Sequence, residues 1–245
     1  MHTSHFELAA QDAVAWLQTQ PTESIDLVIT DPAYESLEKH RAVGTTTRLK
    51  HSKSSSNDWF SIFPNARFGE LLAEIHRVLR RNSHFYLFCD PETMFVVKPE
   101  AERAGFRFWK PLVWDKQTIG MGYHYRARYE FILFFEKGKR RLSDLGVADV
   151  IAARRIIGGY PAEKPVSVSE VLVTQSSRPG ELIADPFMGS GSIGVAALKN
   201  GRRFKGTDVN PEAIRITGDR LAAVAGSLPA AGPTDDQPHL LDLAR

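Results

Sequence analysis

Two short apolar runs in this sequence stop at the same dipeptide. Ile25-Asp26-Leu27-Val28-Ile29-Thr30 runs into Asp31-Pro32, and Glu181-Leu182-Ile183-Ala184 runs into Asp185-Pro186. Both runs are aliphatic, too short for an ordinary helix, and closed by a proline that cannot donate to a ladder. They predict two buried strands, each with an acid at its carboxyl end. A strand that is apolar on both faces needs helices above and below it. Helical spacing is present where such helices are needed. From Phe68 to Leu79, the residues Leu71, Leu72, Ile75, Val78 and Leu79 share one face. Phe85 to Phe88 predicts another strand, and Pro91 suits the first turn of the helix after it. Residues 106–114 and 129–135 predict a pair of strands around a long loop. Val195 to Leu198 belongs to a helix, Phe204 to Thr207 to a last strand, and Pro211 opens a helix that runs to about Val224. Strands alternating with helices predict an α/β fold with a mostly parallel sheet covered on both sides.

The chain has 245 residues, 42% of them hydrophobic and 24% charged, enough for one large α/β domain. We read residues 1–225 as that domain. The tail, 226–245, is rich in Ala, Gly and Pro and is expected to be flexible. Residues 35–65 are too long for an ordinary strand-to-helix loop and carry Lys39, Arg41, Arg48, Lys50 and Lys53. The net charge is only +2, so any nucleic-acid partner must be argued from where charge lies, not from its total. The N-terminus lacks a basic segment followed by an apolar stretch, and no apolar run is long enough to span a bilayer. With Cys89 the single cysteine, no internal disulfide can form. The expectation is a cytoplasmic chain without a membrane partner. The eight His are scattered without ligand spacing, so no metal is expected.

Two motifs carry chemistry. In Asp185-Pro186-Phe187-Met188-Gly189-Ser190-Gly191-Ser192 a strand enters, a Gly-Ser-Gly turn follows and a helix leaves. Glycines allow close approach of backbone to a ligand, and a helix N-terminus offers free N–H groups. Asp208 ends the next strand, where an acid can take both hydroxyls of a ribose. A tight turn with no ligand is the plain alternative. Gly189-x-Gly191-x-x-Gly194 also fits a dinucleotide fingerprint, which leaves an NAD-dependent oxidoreductase open. Too few strands follow Asp208 for the second nucleotide-binding half such an enzyme needs. The second motif is Asp31-Pro32-Ala33-Tyr34. Asp31 and the Pro32 carbonyl can accept hydrogens from an exocyclic amino group, and Tyr34 can stack on a base drawn from a duplex.

Together the motifs resemble the amino-methyltransferase family of DNA modification enzymes. That family has Asp/Ser/Asn-Pro-Pro-Tyr/Phe/Trp at the target base and Asp-x-Phe-x-Gly-Ser-Gly at the cofactor. Glu74 to Leu79, Trp114-Asp115-Lys116, Tyr125 to Glu130 and Glu163-Lys164-Pro165 extend the resemblance along the chain. The order, catalytic loop first and cofactor loop last, is that of the β group. Ala33 departs from the family's second proline. Tyr160-Pro161-Ala162 stands where His-Pro-Thr is common, which puts a direct role for position 160 in doubt. The resemblance implies a Rossmann-like methyltransferase fold with permuted motif order, S-adenosylmethionine as cofactor and double-stranded DNA as partner. A homodimer is left open. It implies Asp31, Pro32 and Tyr34 as catalytic residues. Asp12, Asp31, Lys164, Asp185, Phe187, Gly189, Ser190, Gly191 and Asp208 are implied at the cofactor. Lys39, Arg41, Arg48, Lys50 and Lys53 are expected to hold DNA, with Arg126, Arg128 and the basic stretch Lys137 to Arg141 next in line. Asp at the head of the target motif favours adenine N6 over cytosine N4. Methylation of cytosine carbon 5 needs a nucleophile, and Cys89, at the end of an apolar strand, reads as structural. A catalytically inactive DNA-binding domain is the remaining alternative.

Overall fold

The computed structural model describes residues 3–36, 61–120, 124–158, 160 and 162–227. Lys39, Arg41, Arg48, Lys50 and Lys53, and the tail from 228, lie outside the described residues. The strands are β1 (Phe6–Ala9), β2 (Ile25–Thr30), β3 (Leu79–Cys89), β4 (Arg107–Asp115), β5 (Tyr129–Lys137), β6 (Val150–Ala152), β7 (Leu182–Asp185) and β8 (Arg203–Thr207). The helices are α1 (Ala13–Thr19), α2 (Phe68–Val78), α3 (Pro91–Ala104), α4 (Val166–Ser176), α5 (Ser192–Lys199) and α6 (Pro211–Ala225). One eight-stranded sheet has the order β1-β8-β7-β2-β3-β5-β4-β6. All neighbours are parallel except at β5, which runs against both β3 and β4.

β2 is central and every one of its residues is buried. Its two faces feed two cores. Ile25 and Val28 pack with α1, α2 and α3 residues such as Leu17, Leu72 and Val97. Leu27 and Ile29 pack with Leu172, Ala196 and Leu221 of α4, α5 and α6. Asp26 falls at a shift in the β2–β3 register, and its Oδ2 accepts the Leu182 amide at 2.8 Å. That bond, with Leu27 opposite Ile183 and Val28 opposite Ala184, sets β2 beside β7 in parallel. The strands ending at Asp31 and Asp185 are therefore neighbours.

α2 buries the face expected of it, but it stops at Val78, because Leu79 is already extended and opens β3. β3 is longer than its apolar stretch. Arg80, Arg81 and Asn82 continue it as exposed residues, with no alternation for a sequence reading to detect. Four elements escaped the sequence reading: β1, α1, α4 and the edge strand β6. Among the described residues no helix is long and apolar enough to cross a membrane.

Candidate functional site

β2 and β7 end side by side, so Asp31 and Asp185 arrive at one edge of the sheet, as carboxyl ends of neighbouring strands do in this architecture. The Thr30 hydroxyl donates to Asp185 Oδ1 at 2.8 Å and ties the two strand ends together. A cleft of about 440 Å³ opens there, within the range of small-ligand sites. Asp12, Asp31, Pro32, Tyr34, Lys164, Asp185, Phe187, Gly189, Ser190 and Asp208 all line it. These are the sequence candidates drawn from both ends of the chain, with Gly191 the exception.

The Gly-Ser-Gly turn forms the floor. Asp185 Oδ1 accepts the Phe187 amide at 3.0 Å, and Asp208 Oδ2 accepts the Gly189 amide at 3.0 Å. From α6, the Thr217 hydroxyl donates to the Gly189 carbonyl at 2.8 Å and Arg220 donates to the Ser190 carbonyl at 2.6 Å. Gly191 does not line the cleft. It caps α5 at φ 75°, and a Cβ there would meet Thr217 Cγ2 at 2.6 Å. Its glycine is demanded by packing beneath the turn.

Asp208 lines the cleft beside this turn. Its Oδ1 accepts the Asn210 amide at 2.8 Å, and no cation pairs with it among the described residues. Burial raises its pKa above the usual carboxylate value, against the pull of its backbone donors. Asp185 is more deeply set, 1% exposed, and burial pushes its pKa up to about 8. Asp12 sits at the rim. It caps α1 by accepting the Val14 and Ala15 amides, and both of its oxygens also accept from Arg67, at 2.8 and 2.9 Å. Arg67 lies over the Phe63 ring, and Phe63 meets Phe187 edge to face at 5.1 Å. Arg67 and Phe63 were not singled out in the sequence. Nothing local marks them, because contacts with residues distant in the chain set them there, Asp12 for Arg67 and Phe187 for Phe63.

Asp31 lines the same cleft. Tyr34 is 7% exposed, and its hydroxyl donates to Asp31 Oδ1 at 3.1 Å. The adjoining backbone is held where Phe63 N donates to the Ala33 carbonyl at 2.8 Å, so the residue that departs from the family pattern still braces the loop. The Lys164 ammonium donates to Asp31 Oδ2 and lies 3.2 Å from Glu130 Oε2. Burial raises the Asp31 pKa, the Lys164 charge lowers it, and the Glu130 charge raises it again.

The family model described as DNA methylase, for N6 and N4 methyltransferases, matches residues 25–149 and 148–219. The chain belongs to the DNA methylase family. DNA adenine methyltransferase YhdJ of Escherichia coli K12 is 26% identical over 86% of this chain and 80% of its own length. Among solved structures, TTHA0409 from Thermus thermophilus, complexed with S-adenosyl-L-methionine, superposes at TM-score 0.67 with 20% identity. That match covers 91% of this chain and 96% of TTHA0409. The cytosine-N4-specific PvuII DNA methyltransferase superposes at TM-score 0.69 with 16% identity, over 91% of each chain. The sheet, with its single reversed strand, is thus the fold of this family.

Within this methylase the basic stretch Lys137 to Arg141 is partly spent inside the molecule. Lys137 donates to the His76 carbonyl at 2.8 Å and the Leu79 carbonyl at 2.6 Å, and Arg140 pairs with Glu181 at 2.7 Å. Arg128 pairs with Asp115 at 2.6 Å. Cys89 is fully buried, and burial pushes its thiol pKa far up, which removes it as a nucleophile. Among the described residues no group of His, Cys, Asp or Glu could hold a metal ion.

Proposed function

We propose that this DNA methylase transfers a methyl group from S-adenosylmethionine to N6 of adenine in double-stranded DNA. The observation that carries the reading is that Asp31 and Asp208 open into one cleft, one acid suited to an amino group and the other to a ribose. The cleft fits the cofactor on its own terms. Asp208 is a partly buried carboxylate with lone pairs to spare and no cation paired with it among the described residues, which suits a pair of neutral hydroxyls. Phe187 offers an apolar wall, and Gly189 and Ser190 bring backbone close. Bound there, S-adenosylmethionine would supply an electrophilic methyl group on sulfonium sulfur, with a neutral thioether as the leaving group. Asp31 and the Pro32 carbonyl accept the two amino hydrogens and so orient the nitrogen lone pair. Asp31 then receives the proton that the nitrogen gives up. No covalent enzyme intermediate is needed, and the work is positioning and charge stabilisation.

Asp at the head of the target motif and the adenine-methylating relative support adenine. The likeness to the cytosine-N4-specific PvuII enzyme keeps cytosine N4 as a second reading. Incubation with duplex DNA and S-adenosylmethionine, followed by nucleoside mass spectrometry, tests both. N6-methyladenine is expected. N4-methylcytosine would move the assignment to the second reading, and no methylated base at all would overturn it.

Asp208→Ala should weaken S-adenosylmethionine binding while duplex DNA binding stays the same. A carboxylate–hydroxyl contact is lost, at a cost of about 1.5–3 kcal/mol, or roughly ten- to a hundredfold in Kd. Calorimetry reads this directly, and an unchanged Kd in a folded variant removes Asp208 from the cofactor site.

A further inference from the structure

Four charged side chains from four distant segments meet behind the catalytic loop. Asp31 follows β2, Lys116 follows β4, Glu130 lies in β5, and Lys164 precedes α4. Lys164 serves both carboxylates, donating to Asp31 and standing 3.2 Å from Glu130 Oε2. Lys116 Nζ lies 2.5 Å from Glu130 Oε1. Two ammoniums thus balance two carboxylates. The aromatic walls fix them further: the Lys164 ammonium lies 5.4 Å from the Phe88 ring centre and 5.9 Å from that of Trp114, whose ring also carries Lys116 at 5.2 Å. Trp114 is itself pinned by its indole N–H to the Ala153 carbonyl at 2.8 Å.

Burying ions costs several kcal/mol each before they attract one another, so a cluster like this is weak evidence for stability alone. Its placement argues for another role. Glu130 lines the cleft, and its Oε2 stands 3.2 Å from the same ammonium that Asp31 holds, so the two carboxylates share one cation beside the space where a substrate would sit. We propose that Glu130 is a positioning residue for methyl transfer: through Lys164 it fixes where the Asp31 carboxylate points and keeps that carboxylate a competent proton acceptor. The inference rests on the methyl-transfer reading above.

The electrostatics run the same way. Lys164 shared between two carboxylates neutralises Asp31 less than Lys164 given wholly to it. Replacing Glu130 by a neutral amide removes a repelling charge and leaves Lys164 undivided on Asp31. Both changes make Asp31 a weaker base. The groups that face Asp31 are Tyr34 from its own loop, Lys164, Glu130 with Lys116 behind it, Asp185 of β7 and Cys89 of β3. Burial keeps Tyr34 and Cys89 in their neutral forms, so the balance among Asp31, Lys164, Glu130, Lys116 and Asp185 sets the profile.

The test is the pH dependence of kcat on duplex DNA with saturating S-adenosylmethionine, with wild type run alongside. For Glu130→Gln, kcat should fall about tenfold, KM for DNA and Kd for the cofactor should change by less than about twofold, and the acid limb should move to lower pH. Glu130→Asp, which keeps the charge, should bring the limb back toward the wild-type position. Lys116→Met, at a partly exposed side chain, should move it the opposite way, because the Glu130 charge is then less shielded; this variant serves if Glu130→Gln fails to fold. An unmoved acid limb in both Glu130→Gln and Lys116→Met overturns the proposal, and so does an activity loss that only follows the folded fraction. If wild type itself transfers no methyl group, the methyl-transfer reading fails and takes this inference with it. If wild type is active and the variants match it, this inference alone fails.

Discussion

Asp31→Ala is expected to lower kcat for methyl transfer by about a thousandfold or more, in line with the loss of a general base, while S-adenosylmethionine still binds. Asp31 is the acceptor for the amino hydrogen and for the proton that leaves, so its loss falls on the chemical step. The fold has reasons to survive. Lys164 keeps Glu130 at 3.2 Å as a partner, and the Phe63 amide still holds the loop at the Ala33 carbonyl. A purely structural Asp31 would instead act through its ion pair with Lys164, so its loss would lower the melting temperature and leave transfer by the folded protein near wild type. Single-turnover methylation, cofactor calorimetry and thermal melting on the same preparation separate the two. Transfer near the wild-type rate by a folded variant would end the catalytic assignment.

Gly191→Ala should destabilise the domain by about 2–5 kcal/mol, adding a left-handed backbone cost of about 1–2 to an overpacking cost of about 1–3. Gly191 holds φ 75° at the start of α5, and its added Cβ would lie 2.6 Å from Thr217 Cγ2 and 2.7 Å from Thr217 Oγ1. Thr217 cannot easily retreat. It is fully buried, and its hydroxyl holds the Gly189 carbonyl at 2.8 Å. The strain therefore enters the floor of the cleft, and cofactor affinity should fall together with the melting temperature. Adding Thr217→Ala should relieve the overpacking part and leave the backbone part, together with the cost of the lost Thr217–Gly189 bond, which the Thr217→Ala single variant measures. A Gly191→Ala protein that melts with wild type would show that the turn relaxes at no cost.

Some of this was local enough to be read from residue order. Ile25 to Thr30 is apolar on both faces because β2 sits in the middle of a covered sheet, and the Asp-Pro that ends it needs no tertiary information. Likewise the spacing of Leu71, Leu72, Ile75 and Val78 already defines the buried face of α2. Other elements were hidden for physical reasons. α4 is rich in Val, Ser and Thr, types with low helix propensity, yet Val168, Leu172 and Val173 fall on one buried face. Packing against α5 and the sheet overrides composition there. β6 is three residues long and exists through its pairing with β4, opposite Val113 to Asp115.

The site divides the same way. Asp31, Asp185, the Gly-Ser-Gly turn and Asp208 stand beside the strand ends that carry them, so their places follow from the chain itself. The partners of those residues do not. Lys164 meets Asp31 from 133 positions away and Arg67 meets Asp12 from 55, and an ion pair leaves no periodicity in either segment. Lys164, implied by resemblance as a cofactor residue, gives its ammonium to two carboxylates, and Glu130, which closes the resembling segment Tyr125 to Glu130, has no role that the sequence assigns. The sequence determined which acids end which strands, because strand ends are local. Only the tertiary structure decided which cations face those acids and how far from water they lie, because burial and charge pairing belong to the folded sheet as a whole.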